Sequence, residues 1–443
     1  MKNSDIPFHR VVIVGGGFGG LYAAKSLGKS PVQVTLIDRR NFHLFQPLLY
    51  QVATGVLSPG EIAAPLRGIL RHQKNTLTLQ AEVVNIDPER KKVFFEDQSV
   101  DYDTLIIATG SSHHYFGHPE WEKFTPGLKT LEDAFRMRRK ILEAFEKAEC
   151  EQDPKRRQSW LNFAIVGAGP TGVELAGALA ELAYSTLRED FRRVPLGDVQ
   201  IYLIEGADRV LPGYPSELSE KARHQLEKLG VKVWTHSLLR EIREDAIKVE
   251  KGKELKEIAT HTVLWAAGVQ ASPLGKVLAE RLSLPLDPQG RLQVEPDLSL
   301  AGAPDIFVIG DLANFSYQNG KPLPGVAPVA IQQGHYIAQS IQRRLKGKKV
   351  QAFHYFNKGS VAVIGRNAGV ADLGPLQFGG FTAWLLWAAV HLAYLVEFNN
   401  KVLVLFRWAW NYLTYKRGAR LIVGTSENSG AMSRAKTLAK KSS

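Results

Sequence analysis

The 443-residue chain writes nearly the same phrase twice. Residues 10–24 read RVVIVGGGFGGLYAA and residues 163–177 read FAIVGAGPTGVELAG, each a short apolar strand, a Gly-x-Gly-x-x-Gly turn and a helix of small residues. In this grammar the first glycine permits the tight turn, the second lets a pyrophosphate approach the backbone, and the third packs helix on strand. The free N–H groups of the helix N-terminus then face the anion. Gly15, Gly17 and Gly20 form the first cradle; its second strand, VQVTLID, ends at Asp38, with Arg39 following, where a carboxylate accepts hydrogen bonds from ribose hydroxyls. Gly167, Gly169 and Gly172 form the second, with Pro170 in the first helical turn, where its missing N–H costs nothing. Its acid, Glu205, closes the strand VQIYLIE, displaced along the chain by the polar excursion REDFRRVPLGD. An acid there favours a free 2′-hydroxyl and predicts NADH over NADPH, with Arg209 keeping the phosphorylated cofactor as the minority reading. A Gly-rich turn without a ligand is the bland alternative, and strand, turn, helix, strand and acid in order weigh against it.

Two more strands ending in small-residue turns, DTLIIATG and DIFVIGD, flank the second phrase. With them the chain from residue 10 to about 345 resembles the two-dinucleotide-binding-domain flavoproteins of the glutathione-reductase-like superfamily. The resemblance implies an α/β fold of two Rossmann-like domains, the second inserted in the first. It also implies non-covalent FAD in the first cradle beside Thr109 and Gly110, with Gly310 and Asp311 at the flavin ribitol and phosphates. The second cradle would take the nicotinamide nucleotide, with Gly268 of the TVLWAAG turn beside it. The expected boundaries are residues 1–125 and 291–378 for the two parts of the FAD domain and 126–290 for the NADH domain with its lead-in helix. Membrane-anchoring amphipathic helices at 379–422 and a disordered basic tail at 423–443 complete the chain. Between the lead-in helix and the second cradle, CEQDPKRRQSW reads as a linker, and KVEKGKELKEI as a solvated turn between strands.

Composition narrows the electron acceptor. A single cysteine, Cys150, cannot form an internal disulfide or a Cys-x-x-Cys centre, which removes the disulfide-reducing chemistry of that superfamily. Quinone, oxygen, a ferredoxin or a dye remain. His113, His114 and His118 share a loop and read as structural rather than metal-binding. Near the C-terminus FTAWLLWAAVHLAYLV, residues 381–396, carries no charge but is shorter than the about twenty residues needed to cross a bilayer. KVLVLFRWAWNYLTYKR follows, with Asn400, Arg407, Asn411 and Thr414 at helical intervals against Trp, Leu, Val and Phe. Residues 401–443 hold nine Lys or Arg against one acid, Glu427, a net +8 within the chain's +12. Charge beside apolar surface predicts a monotopic helix pair on an anionic bilayer, with a homodimer interface or a buried hairpin as the competing reading and nucleic acid behind both. The polar N-terminus, MKNSDIPFHR, carries no secretory h-region, so the cytoplasmic face of the inner membrane is expected.

The stretches FHLFQPLLYQVATGVLSPGEIAAPLR, GVAPVAIQQGHYIA and FNKGSVAVIGRNAGVADL, with the aromatic C-terminal hairpin, are similar to the type II NADH:quinone oxidoreductases, the respiratory enzymes that do not pump protons. The resemblance reaches to about residue 422. It implies that hydride passes from NADH to FAD and two electrons pass to a membrane quinone. In that family a motif Ala-Gln-x-Ala-x-Gln-x-Gly lines the flavin and quinone; Ala327, Ala330, Gln332 and Gly334 match it. Pro328 replaces the first glutamine, which leaves the role to Gln332 or its neighbour Gln333. Glu174 matches a glutamate near flavin and nicotinamide that assists proton or charge transfer, or is an ordinary acid in the first turns of a helix. Lys358 matches a lysine near flavin or quinone, or is a solvated loop lysine. Reduction of a naphthoquinone or phylloquinone precursor, and a flavin-based NADH sensor or assembly protein, stand as alternative functions.

Overall fold

The structure is a computed structural model that describes residues 8–414 and 416–422. The expected basic tail at 423–443 lies outside the described residues.

Both phrases become the centres of sheets whose strands run parallel, apart from the antiparallel edge strand Ser299–Leu300 of the first. In the first, His9–Val14 lies between Val32–Asp38 and Thr104–Ile107, with Thr76–Gln80 beyond the former and Ala303–Val308 beyond the latter. The pairing of Ile306, Phe307 and Val308 with Leu105, Ile106 and Ile107 joins chain segments on either side of the second phrase into one sheet. The second sheet is therefore an insertion: Val231–Trp234, Gln200–Ile204, Asn162–Val166 and Thr262–Trp265, all parallel. All five residues of Asn162–Val166 are buried, as a strand covered on both faces requires.

An antiparallel strand pair and a lead-in helix connect the units. Ser111–His113 pairs with Val269–Ala271, so the segments following the ATG and AAG turns hold each other. The lead-in helix, Leu131–Cys150, starts at a capping box in which Thr130 Oγ1 accepts from Asp133 N and Asp133 Oδ2 accepts from Thr130 N. The linker reading of residues 150–160 needs correction. Asp153 caps a further helix, Pro154–Leu161, by accepting from Arg156 N, and Cys150 is the last residue of the lead-in helix. The reading of KVEKGKELKEI as a solvated turn also needs correction: only Gly252 and Lys253 form the turn, and the rest of the stretch lies in the paired strands Ala246–Lys251 and Glu254–Ala259. A third antiparallel sheet, Ser360–Gly365, Ala368–Asp372 and Gln377–Gly379, carries the hairpin of helices Phe381–Tyr394 and Phe398–Thr414.

That hairpin is amphipathic in an inverted sense. Asn400 and Asn411 point their amides at the Ala63 and Val56 carbonyls, and Arg407 meets Glu61 at 3.3 Å, so the polar stripe faces the protein. Phe398, Leu403, Phe406, Trp410 and Leu413 face outward, with Phe406 71% and Leu413 76% exposed. Among the described residues no helix is long and apolar enough to cross a membrane.

Candidate functional site: two cradles and an inward-facing aromatic hairpin

The two glycine turns superpose in their chemistry, contact by contact. Gly15 and Gly167 adopt φ of +104° and +96°, and each donates its N–H at 2.8 Å to the last isoleucine of the neighbouring strand, Ile37 or Ile204. Such φ values favour glycine. A Cβ on Gly20 would fall 1.9 Å from the Gly15 carbonyl oxygen, and one on Gly172 1.8 Å from that of Gly167. Each strand-end acid fastens its loop: Asp38 Oδ2 accepts from Gly16 N at 2.5 Å, and Glu205 Oε2 from Ala168 N at 2.6 Å. Asp38 also accepts from Arg40 N, while Glu205 accepts from Ala207 N; Arg39 is exposed beside them. Burial pushes the Asp38 carboxyl upward against the pull of the Gly16 and Arg40 amides.

The fit of a dinucleotide rests on space and unspent donors. A Cβ built on Gly17 or Gly169 meets nothing within 4 Å, and neither helix N-terminus has a side-chain cap. Free N–H groups thus face open space at both turns, as a pyrophosphate requires. Beside the first cradle the Thr109 hydroxyl is buried without a partner, and Gly110 has φ +68°. The ATG turn lies against Gly15, and Ala267, preceding Gly268, takes the same place against Gly167.

The structure joins Thr109, Gly110, Gly310, Asp311, Ala330 and Gln333 around the first cradle. Asp311 accepts from Ser111 Oγ at 2.6 Å with Lys129 Nζ at 3.5 Å, and Gly310 donates its N–H to Gln333 Oε1 at 2.7 Å. Ala330 lies beneath Gly310, and Gly334 lets helix Ala327–Leu345 approach the first cradle helix so closely that a Cβ would sit 2.4 Å from Gly19 O. Gln332 has a different task. Both ends of its amide bond the backbone of Phe356, which pins the segment bearing Lys358. Lys358 Nζ reaches Tyr394 Oη at 3.1 Å. Pro328 sits in the first turn of that helix, where a missing N–H breaks no helical bond.

Glu174 meets the hairpin and the strand Ser360–Gly365. Its Oε1 accepts the indole N–H of Trp387 at 3.2 Å, and the backbone N–H of Val363 also bonds it. Burial pushes the carboxyl up to about 8 despite both donors, so the group carries a proton at neutral pH. The folded chain then holds a proton that the unfolded chain, with the ordinary value of 4.5, releases. Stability from this group is full below about 4.5 and is lost as pH rises through about 8. Glu174→Gln should therefore gain stability over the parent at pH 9, on the order of a few kcal/mol, and little at pH 5. Urea unfolding at both pH values checks this; an equal difference at the two contradicts it.

Several participants escape sequence reasoning. Trp387 and Trp408, on the hairpin expected to lie on a bilayer, turn inward: Trp387 is 3% exposed, and Trp408 Nε1 donates to Gln51 Oε1 at 2.8 Å. Arg417 is buried, donating to the Thr54 and Ala178 carbonyls and to Glu181 at 3.0 Å. The basic charge near the hairpin is likewise less free than expected, because Arg407, Arg417 and Arg420 face Glu61, Glu181 and Asp190. His113 bonds Asp133, and His118 stacks on Trp121; among the described residues no group of three His, Cys, Asp or Glu is placed to hold a metal ion.

Residues 9–334 match the pyridine nucleotide-disulphide oxidoreductase family, which agrees with the doubled cradle. Residues 357–416 match the NDH2 C-terminal domain. The chain is 43% identical over 439 residues to the type II NADH:quinone oxidoreductase Ndh of Mycobacterium tuberculosis, covering 97% of this chain and 93% of the relative. A second protein of that organism, the type II NADH:quinone oxidoreductase NdhA, is 44% identical over 424 residues, 94% of this chain and 89% of the relative. The structure of NDH2 from Plasmodium falciparum in complex with NADH shares the fold at a TM-score of 0.84 and 21% identity, covering 94% of this chain and all of that one. The chain belongs to the pyridine nucleotide-disulphide oxidoreductases and, within them, to the type II NADH:quinone oxidoreductase family.

Proposed function

We propose that the protein is a non-proton-pumping NADH:quinone oxidoreductase, oxidising NADH with bound FAD and reducing a quinone dissolved in the bilayer. The observation that carries this reading is the pair of matching cradles, with open amide-lined turns, beside an inverted amphipathic hairpin. In this reading residues 1–125 and 291–378 hold FAD through Gly15, Gly17, Gly20, Asp38, Arg39, Thr109, Gly110, Gly310, Asp311 and Ala330. Residues 126–290 bind NADH through Gly167, Gly169, Gly172, Glu205 and Gly268, from an aqueous side that is the cytoplasmic one. When bound, the flavin accepts hydride and hands on two electrons, which lets a two-electron donor meet a quinone.

The protein's own groups supply orientation and charge. Lys358 Nζ and Tyr394 Oη offer donors at the end of helix Phe381–Tyr394, where a quinone oxygen gaining negative charge would be stabilised. Trp387 lies seven residues earlier on that helix, about 10 Å along its axis, and donates its indole N–H to the carboxyl of Glu174, the proton-bearing group of this reading. Gln332 acts through Phe356 by fixing Lys358, and Gln333 by fixing Gly310.

The outward Leu403, Phe406, Trp410 and Leu413 would enter the headgroup region, which explains why the polar stripe is spent on the protein. Because three nearby arginines are already ion-paired, apolar contact should dominate attachment by the described residues, with the Lys and Arg of 423–443 adding the salt-sensitive part. A triple change to serine at Leu403, Phe406 and Leu413 should lower turnover with bilayer-dissolved quinone by at least about tenfold, since each buried side chain contributes about 1.5–3 kcal/mol. Turnover with a short-chain soluble quinone should persist. Equal rates with both quinones would remove the hairpin from the membrane and favour a second copy of the chain on that face. Absence of turnover in the parent, with flavin that stays reduced, would favour the sensor.

A further inference from the structure

The polar contact at Glu174 is one end of a larger arrangement between the second cradle helix and the hairpin. Trp387 Nε1 reaches Glu174 Oε1, and its ring lies 5.3 Å from that of Trp408 and 4.4 Å from that of His391. Trp408 Nε1 donates to Gln51 Oε1, and Gln51 Nε2 donates to the Tyr50 hydroxyl at 3.0 Å. Tyr50 is itself buried and within electrostatic reach of Glu174. Each helix of the hairpin thus sends one indole N–H inward, one to the carboxyl and one to the amide–phenol pair beside it.

An indole N–H is a donor only, so Trp387 needs an acceptor oxygen where it lies. Glu174 cannot withdraw. Gly177, three residues on, presses against the Ile364 carbonyl so closely that a Cβ would sit 1.6 Å from its oxygen. Helix Pro170–Glu181, strand Ser360–Gly365 and helix Phe381–Tyr394 therefore clamp carboxyl and indole together.

We propose that Trp387 is a positioning residue for Glu174, and that through Trp387 and Trp408 the seating of the aromatic hairpin sets how tightly Glu174 holds its proton. This rests on the reading of Glu174 as a proton-bearing group of the proposed reaction. A donated N–H stabilises a carboxylate more than a neutral acid. A hairpin displaced from its seat withdraws that donor and leaves burial to favour the protonated form; a seated hairpin restores it. The other ionisable groups bearing on the carboxyl are Tyr50 and Tyr214, with His391 on the hairpin and Glu181 and Arg417 acting through Tyr50. The reaction site would then sense attachment through a hydrogen bond, with no movement of the cradle.

The test uses the FAD-loaded full-length protein and two spectroscopic titrations. The infrared band of the Glu174 carboxylic acid, isolated by difference against Glu174→Gln, should show its midpoint moved upward by about one pH unit in Trp387→Phe, which keeps a ring and removes the N–H. In the parent labelled with 15N-tryptophan, the Trp387 indole resonance should shift with the midpoint of that band and be flat in Glu174→Gln. This second readout needs no tryptophan variant to fold. An unchanged midpoint in Trp387→Phe, or a parent indole resonance indifferent to pH, overturns the proposal. Neither readout involves quinone turnover, so failure here is separate from failure of the proposed reaction, which would show as no quinone reduction at any pH.

Discussion

Valine in place of Gly172 should lower NADH-driven flavin reduction by at least about 100-fold, because a displacement of about 1 Å at a bound reactant already costs that much. The cause is steric. A Cβ at this position falls 1.8 Å from the Gly167 carbonyl oxygen, so the helix must leave the strand that aims its N-terminus. FAD should stay bound, and dithionite-reduced flavin should still be reoxidised by quinone at the parental rate, since the first cradle is untouched. The same change at Gly20 should do the opposite and release FAD, its Cβ falling 1.9 Å from the Gly15 oxygen. Absorbance of the purified variants reads the flavin, and stopped-flow mixing with NADH reads its reduction. Loss of flavin from both variants alike would mean that the turns do not serve separate nucleotides.

Arg417→Ala should destabilise the fold by about 3 kcal/mol, the low end for removing one partner of a buried ion pair, since Glu181 retains some solvent. Arg417 lies beyond the matched C-terminal domain and makes three contacts back into the fold: with the carbonyl of Thr54 and, at the C-terminal end of the second cradle helix, with the Ala178 carbonyl and the Glu181 carboxylate. Glu181 is also held by Arg366 N at 2.6 Å, so one carboxylate ties the strand turn, the helix and the returning chain. Arg420, whose contact with Asp190 is more exposed, is the control, with an expected effect below about 1 kcal/mol. Urea denaturation compares them. Equal small effects would mean that the segment after the hairpin adds nothing to the fold.

What could be read in the sequence is local in sequence. The cradles, their acids and the ATG and IGD turns are each encoded within a few residues, because strand, turn and helix N-terminus must follow one another. The orientation of the last helix was not readable. Asn400, Arg407 and Asn411 define a polar stripe, but periodicity does not say which stripe looks inward, and here the protein takes the polar side. Gln332 and Gln333 are adjacent in sequence yet about 100° apart around a helix, so one bonds Phe356 and the other is buried against Gly310. The contact between Glu174 and Trp387 spans 213 residues and has no local signal. Helix Pro154–Leu161 did have one, an N-cap aspartate followed by proline, inside a stretch whose charge suggested a linker.

Electron transfer from NADH to a bilayer quinone is measured most directly by following both reactants at once. Full-length protein with FAD, on vesicles containing a long-chain quinone and under nitrogen, should consume NADH and form quinol in equal amounts through many turnovers, with NADPH slower. NADH consumed only up to the amount of flavin present, with the quinone left oxidised, would contradict the account.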